Sequence, residues 1–491
     1  MEKALNRTRV HPALGAAIML GVALLARAQT FGDPVLHLDE QLYLLVGDRM
    51  LHGALPYVDI WDRKPIGLFL IYAAVRLLGG DGIVQYQLVA AVCAAATGYL
   101  VMRLAASVAS PSAAMLAGVI YILWLGLMGG DGGQAPVFYN LPMAAAALLV
   151  LRAIQAPPEV SVLRRNGALA MLLVGVAIQI KYTALFDGMF LGVALLWARR
   201  REGRTVVAIL PDAALWIACA LLPTAAAAIV YVGLGRIDAF VFANFVSILA
   251  RTPSSGPVTA GRLAKLAAIL APLLVGVFAA RLWRVEGPDR VGARFLFGWL
   301  AVSCAAVLGF GTYYTAYGLP VVLPASICAA ASFDRGAAAR RWCIAVAAVA
   351  MIAGQVVIVA TRHNKGGRDI AAGMLNAMRG HADCLFVYEG QPILYLLGRR
   401  CIPTRFAFPG HFNQANEAHA LGIDIAAETR RVLDTRPGLI ATVTPAWHEA
   451  NLETRRLVEE RIARDYVLVY AKKTGKRVQR LHALRPQRMS L

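Results

Sequence analysis

The sequence predicts an α-helical polytopic membrane protein that ends in a soluble α/β domain, and three observations carry the prediction. Of 491 residues, 58% are hydrophobic and only 16% charged, with a mean hydropathy of +0.59, whereas a soluble globular chain carries about 25% charged residues. The apolar residues are gathered into runs close to the ~20 needed to cross a bilayer core as a helix. Beyond Thr361 the composition changes: 21 of the 49 Lys/Arg and 12 of the 29 Asp/Glu lie there. We therefore expect a membrane domain over residues 1–361 and a second domain over 362–491. The net charge of +20 is divided between short connections and this tail, which argues for a membrane and an anionic envelope surface rather than nucleic acid.

Eleven spans are read, near 13–28, 83–102, 112–128, 138–151, 166–180, 183–198, 211–233, 263–280, 295–310, 314–332 and 342–361. The first follows Lys3, Arg7 and Arg9; with no convincing cleavage site after it, it reads as a signal anchor rather than a signal peptide. Starting from a cytoplasmic N-terminus, cytoplasmic connections hold eighteen Lys/Arg, among them Arg199, Arg200, Arg201 and Arg204, and the outer ones eight. That is the bias of the positive-inside rule. Ile66–Leu78 is apolar but has about thirteen residues and contains Arg76. Counting it as a span would reverse every later loop, so it is read as an interfacial or re-entrant helix. The chain is thus expected in the plasma (cell inner) membrane, with the tail in a periplasm-like compartment. There Cys384 and Cys401 would form a disulfide or stay as two buried thiols; the other five cysteines lie in spans.

The first outer loop, residues 29–82, is where chemistry is concentrated. It holds seven of the seventeen acids found before residue 362: Asp33, Asp39, Glu40, Asp48, Asp59, Asp62 and Asp81. Connectors are usually a few residues long, and this one is too aromatic for disorder. Asp39 and Glu40 follow the first span by about ten residues, so a carboxylate there sits near the membrane surface and suits a general base. Arg63 and Lys64 precede the interfacial helix at headgroup depth, where two cations suit a lipid phosphate. Residue types alone also allow a plainer reading, in which the acids cap a helix and the cations snorkel to lipid.

The arrangement resembles the polytopic GT-C glycosyltransferases, in particular bacterial members similar to protein O-mannosyltransferases, aminoarabinose–lipid A transferase and rhizobial lipopolysaccharide-core transferases. The resemblance rests on Asp39-Glu40 after the first span, Gly53-Ala-Leu-Pro-Tyr-Val-Asp59 and Lys64-Pro65 before the short helix. Phe138-Tyr-Asn-Leu-Pro142, Gln179-Ile-Lys-Tyr-Thr183 and Tyr313-Tyr-Thr-Ala-Tyr-Gly-Leu-Pro320 add to it, and it covers roughly residues 10–335. It implies an enzyme that moves a sugar from a polyprenyl-phosphate donor to an acceptor hydroxyl, on a lipid, glycan or protein of the cell envelope, with inversion. Asp39 would then be the base and Glu40 its orienting or acceptor-binding neighbour. Lys64, with Arg63, would engage the lipid phosphate. The family's second acidic position falls on Asp131 in Gly129-Gly-Asp-Gly-Gly-Gln134, which a Gly-rich turn explains equally. Asp39 and Asp131 alone make a thin divalent site, so a metal ion stays open and no other cofactor is implied.

Lys181 is a further substrate-binding candidate, although pairing with Asp187 across the turn would explain both. Asp212 is read as structural. Tyr314 and Tyr317 would line a lipid groove or belong to an interfacial aromatic belt. The sequence has no Asp-x-Asp, GxGxxG or GxxxxGK[ST] pattern, so a nucleotide-sugar or ATP site is unsupported. The runner-up function is a transporter or lipid-linked sugar flippase, against which stand the missing paired halves. In the tail, buried strands are expected at Cys384–Tyr388, Gly438–Val443 and Tyr466–Tyr470, separated by helices near 366–379, 417–433 and 449–463. His411, His419 and His448 show no ligand spacing.

Overall fold

The computed structural model describes residues 11–155, 160–201, 203, 205–381 and 384–486. Lys3, Arg7, Arg9 and Arg204, used above for orientation, lie outside them. The chain folds as two compact units, each gathered from three stretches: Met1–Thr30, Gln87–Ile229 and Gly256–Val357 in the first, Phe31–Tyr86, Val230–Ser255 and Ile358–Leu491 in the second. The tail thus shares its unit with the first outer loop and with residues 230–255, and the composition boundary at 361 falls inside a helix.

All eleven apolar runs are helical. In chain order the helices are α1 (Pro12–Arg27), α2 (Leu38–Leu51), α3 (Ile66–Arg76), α4 (Ile83–Ala105), α5 (Pro111–Leu127), α6 (Ala135–Gln155), α7 (Val160–Ile180), α8 (Ala184–Arg201), α9 (Val206–Gly233), α10 (Ile237–Val241), α11 (Gly256–Ala280), α12 (Arg290–Phe310), α13 (Leu319–Ala329) and α14 (Ala337–Lys365). Among the described residues eight helical segments are long and apolar enough to cross a membrane, fewer than the eleven expected. The shortfall has a simple cause. Helices α1 and α5 have 16 and 17 residues, and α8 has 18 but ends in Arg199, Arg200 and Arg201. Helix α3, with 11 residues, is too short to span, as its length and Arg76 predict.

The first unit is packed through small residues, as helices buried in lipid require. A Cβ on Gly118 of α5 would stand 2.5 Å from the Gly98 carbonyl oxygen of α4, so this crossing needs glycine. Some polar residues of its helices find partners inside it: Asn140 donates to Tyr121 at 3.1 Å and to the Leu319 carbonyl at 3.4 Å. Asp212 accepts from Arg199 at 2.6 Å and pairs with Arg164 at 3.3 Å, the structural role read for it.

In the second unit the tail forms a four-stranded sheet of β1 (Leu385–Val387), β2 (Leu439–Thr444), β3 (Tyr466–Thr474) and β4 (Arg477–Leu484), in the order β1-β2-β4-β3. β1 and β2 run parallel, and the β2–β4 and β4–β3 pairs antiparallel. The longer tail helices are α15 (Arg368–Ala377), α18 (Ile425–Asp434) and α19 (Leu452–Asp465), with short α16 (Ile393–Leu397) and α17 (Gly410–Asn413) between. Asp424 and Asn451 cap α18 and α19 by accepting from Ala426 and Thr454 amides, satisfying donors a helix start leaves open. The expected strands are present, but β3 is largely exposed rather than buried, with Val467 and Leu468 41% and 53% exposed; the helix expected over 417–433 begins only at Ile425, and Cys384 and Cys401 are joined in a disulfide.

Candidate active site

Helix α2 is the scaffold of the first-loop site. From Glu40 to Asp48 every residue is buried, because α3 lies directly against it. The approach is close at Gly47, where a Cβ would meet the Ala73 nitrogen and the Tyr72 carbonyl carbon, both at 2.6 Å. Tyr43 packs edge-on against Phe69 and Tyr72, with centroids 6.3 and 5.6 Å away. The start of α2 is tied down by Gln41, which donates to the Val35 carbonyl at 3.1 Å and to Gln391 at 2.8 Å while accepting from the Ile393 amide.

Five of the seven loop carboxylates hold this scaffold together. Asp33 accepts from the Val35 amide at 3.1 Å and from Arg362 at 3.1 Å. Asp48 pairs with Arg76 at 2.9 Å. Asp59 accepts from the Leu55 amide at 2.7 Å, and Asp81 from the Ile83 amide at 2.9 Å, at the start of α4. Asp62 accepts from the Lys64 amide at 2.9 Å and lies 3.5 Å from its ammonium. The remaining two, Asp39 and Glu40, stand together in the first turn of α2, where the helix dipole favours negative charge. Glu40 is fully buried and Asp39 half-buried.

Lys64 stands close to the same helix. Its ammonium is 5.6 Å from the Tyr43 ring centroid, and Tyr43 lies one turn beyond Asp39, on the same helix face. Arg63, expected beside Lys64 at the lipid phosphate, is engaged elsewhere: its guanidinium closes on both carboxylate oxygens of Glu417. Arg251 reaches the same carboxylate at 3.0 Å. Burial pushes the Glu417 carboxyl up, but the hydrogen bonds and charge of Arg63, with Arg251 and His411, outweigh it and hold the group below its ordinary range. Arg63 thereby staples the loop to the tail. Nothing in the sequence pointed to Glu417 or Arg251 as its partners, because they lie 354 and 188 positions away.

The other candidates lie in the first unit. Asp131 is buried in the loop between α5 and α6, where the neighbouring Gly130 carbonyl accepts from Arg27 at 2.7 Å. The Lys181 ammonium sits 4.4 Å over the Tyr317 ring, Tyr317 stacks on Tyr314 at 6.0 Å, and Arg262 lies 4.1 Å over Tyr314. These four form one continuous cation–aromatic array, in which Arg262 was missed as a candidate. Asp187 turns away from it and accepts from Trp299 at 3.0 Å and from Ser303. The three motifs behind the resemblance also meet, for Tyr139 bonds Thr183 at 3.3 Å and Asn140 reaches Leu319. Among the described residues no group of three or more His, Cys, Asp and Glu is placed to hold a metal ion, so no step is assigned to one.

No protein-family model and no curated protein matches the sequence. Solved structures do match the fold. ArnT from Cupriavidus metallidurans, in a crystal structure bound to undecaprenyl phosphate, superposes with a TM-score of 0.64 at 16% identity, over 96% of this chain and 97% of that one. The arabinofuranosyltransferase AftD from Mycobacteria gives 0.52 at 14% identity, over 97% of this chain and 42% of the larger AftD. The archaeal oligosaccharyltransferase AglB from Archaeoglobus fulgidus, in complex with an inhibitory peptide and a dolichol-phosphate, gives 0.52 at 11% identity over 88% of this chain and 69% of AglB. The chain shares the fold of these proteins, the GT-C fold that its sequence resembles.

Proposed function

We propose that the protein is an inverting glycosyltransferase that moves a sugar from a polyprenyl-phosphate donor to an acceptor hydroxyl of the cell envelope, at the outer face of the inner membrane. The observation that carries the reading is the start of α2. A carboxylate pair is fixed there by a buried helix, with an ammonium group held against the same helix one turn away. The fold shared with ArnT and AglB, whose structures contain undecaprenyl phosphate and a dolichol-phosphate, supports a lipid-phosphate donor.

In this reading Asp39 accepts the proton of the acceptor hydroxyl as its oxygen attacks the anomeric carbon. The bond from that carbon to the phosphate oxygen breaks, and the electron pair leaves with the polyprenyl phosphate. Charge grows on the phosphate as the bond breaks, so a fixed cation stabilises the transition state more than the ground state. Lys64 supplies that cation; a phosphate–ammonium pair at about 4 Å is worth roughly 4 kcal/mol at an effective dielectric of about 20, before desolvation. Glu40, buried beside Asp39, orients it or the acceptor. Arg63 acts through Glu417 to hold Lys64 in place. Lys181, Tyr314 and Tyr317, joined by Arg262 in the array of the first unit, are retained as substrate-binding candidates, and Asp131 as the second acidic position.

The test is reconstitution of the purified chain in vesicles with a polyprenyl-phosphate donor carrying a labelled sugar, together with an envelope extract. The expected result is label on the acceptor and an equal amount of sugar-free polyprenyl phosphate. Movement of the intact donor between leaflets, with no bond broken, would instead establish the flippase reading.

A further inference from the structure

Helix α2 is gripped from two sides. Tyr43 and Gly47 meet α3, and a residue two positions away points roughly the opposite way on a helix. On that other side Gln41 and Arg49, about 12 Å apart along the axis, both reach one segment of the tail, residues 385–400. The Gln41 side chain, 1% exposed, donates through Nε2 to Gln391 Oε1 at 2.8 Å and accepts through Oε1 from the Ile393 amide at 3.3 Å. Arg49 donates to the Arg400 carbonyl at 3.1 Å. Helix α16, which lies between these anchors in the chain, packs on α2. The segment is a closed loop. Cys384 and Cys401, 17 positions apart, join its ends in the disulfide, and the Leu385 amide donates to the Cys401 carbonyl at 3.2 Å. Arg400, beside Cys401, also donates to the Met378 carbonyl at 2.6 Å and to the His381 carbonyl at 3.1 Å. Cys401 is exposed and Cys384 half-buried, so a reductant in solution can reach the bond.

We propose that this disulfide-closed loop is a redox-dependent clamp, which positions the Asp39–Glu40 pair by holding Gln41, the next residue of α2, and which loosens when the bond is reduced. Its effect on transfer rests on the glycosyltransferase reading; the clamp itself does not. Gln41 is then a positioning residue, acting through the two acids that precede it. The reductant is a dithiol. One of its thiolates attacks a cysteine sulfur, the S–S bond breaks and a mixed disulfide forms; its second thiol then displaces the protein sulfur. Two electrons and two protons end on Cys384 and Cys401 as thiols, and the reductant leaves as a disulfide. The Cys401 end of the loop is afterwards kept by non-covalent contacts alone. Opening of a short segment is set by the few contacts that hold it, so the loop opens more often, and Gln41 and Arg49 lose their partners together. Helix α2 stays packed on α3, but its first turn is no longer held from the other side. A reacting group misplaced by about 1 Å can cost roughly a hundredfold in rate.

The test is hydrogen exchange read by mass spectrometry on the full chain in detergent micelles, oxidised and then reduced with dithiothreitol. Peptides over α2 are expected to exchange at least about tenfold faster after reduction, while those over α18 and α19 change by less than about twofold. Unchanged exchange over α2, or equal loosening of α18 and α19, would overturn the proposal. Cys384→Ser combined with Cys401→Ser should match the reduced protein and ignore dithiothreitol, which sets aside the five free cysteines; a response kept in that variant would count against the clamp. With the disulfide intact, Gln391→Ala should also speed exchange over α2, and no change there would mean that Gln41 is not the point of grip. Because this readout needs no turnover, a failed vesicle assay would strike the glycosyltransferase reading and leave the clamp standing. If transfer is established, reduction should lower kcat at least about tenfold and leave the donor dissociation constant within twofold, and reoxidation with glutathione disulfide should restore kcat. An undiminished kcat, or parallel loss of donor binding, would overturn the positioning role.

Discussion

His411 is almost fully buried, with its ring 4.9 Å from Trp61, 6.0 Å from Phe406 and 5.3 Å from Phe408. Burial pushes its imidazole down to about 4, against the pull of Asp62 and Glu417. The unfolded chain therefore takes up a proton near pH 6.5 that the folded chain refuses until about pH 4. Stability falls as pH drops through that window, by up to roughly 3 kcal/mol. The lowered Glu417 carboxyl adds its own loss only further down, as pH passes below the usual carboxylate range. In His411→Phe the melting temperature in detergent should lose much of its slope between pH 6.5 and 4.5, with His482, also pushed down by burial to about 4, keeping the rest. An unchanged slope would mean that His411 is not the group titrating. These neighbours explain what was legible at this scale. The acid-rich loop marked the candidate site: Asp39 and Glu40 open α2, and Lys64, from the loop before α3, lies beside that helix at Tyr43. The pairing of Arg63 with Glu417 was not legible, because ion pairs between distant stretches leave no periodicity.

Among the elements, the short helix α3 is below spanning length, as an arginine and a thirteen-residue apolar run suggest. Its task was not legible: it is the wall that buries α2 and so fixes the acid pair. Gly47→Ala should force the two helices apart, since the added carbon has backbone on one side at 2.6 Å. The expected cost is about 1–3 kcal/mol, read as a lower melting temperature with transfer reduced more than donor binding. A wild-type profile would detach α3 from the site. Strand β4 was missed because Arg477, Gln479, Arg480 and His482 break its apolar pattern. It is a central strand whose partners on both sides supply the hydrogen bonds. Residues 234–255 carried no element in the sequence reading, and residues 230–233 only the end of a span. They supply Arg251 to Glu417, and Tyr231 donates to the Pro56 carbonyl at 3.0 Å.

At the scale of the whole chain, composition located the membrane helices and the tail, because hydrophobicity and charge are properties of long segments. It did not reveal that the tail, the first loop and residues 230–255 fold as one unit, since that depends on contacts between segments of unlike composition. The orientation is tested by single cysteines placed at exposed sites. His52→Cys and Arg456→Cys, whose native side chains are 72% and 74% exposed, should react with a membrane-impermeant maleimide in cells with a permeable outer membrane. Arg201→Cys should react only after lysis. The opposite pattern would put the loop in the cytoplasm and end the account. The most direct test of the central claim is Asp39→Asn in the vesicle assay. We expect turnover to fall by at least about a hundredfold, the scale of a lost general base, while the dissociation constant of the polyprenyl-phosphate donor stays within twofold. Turnover within tenfold of the wild type would contradict it.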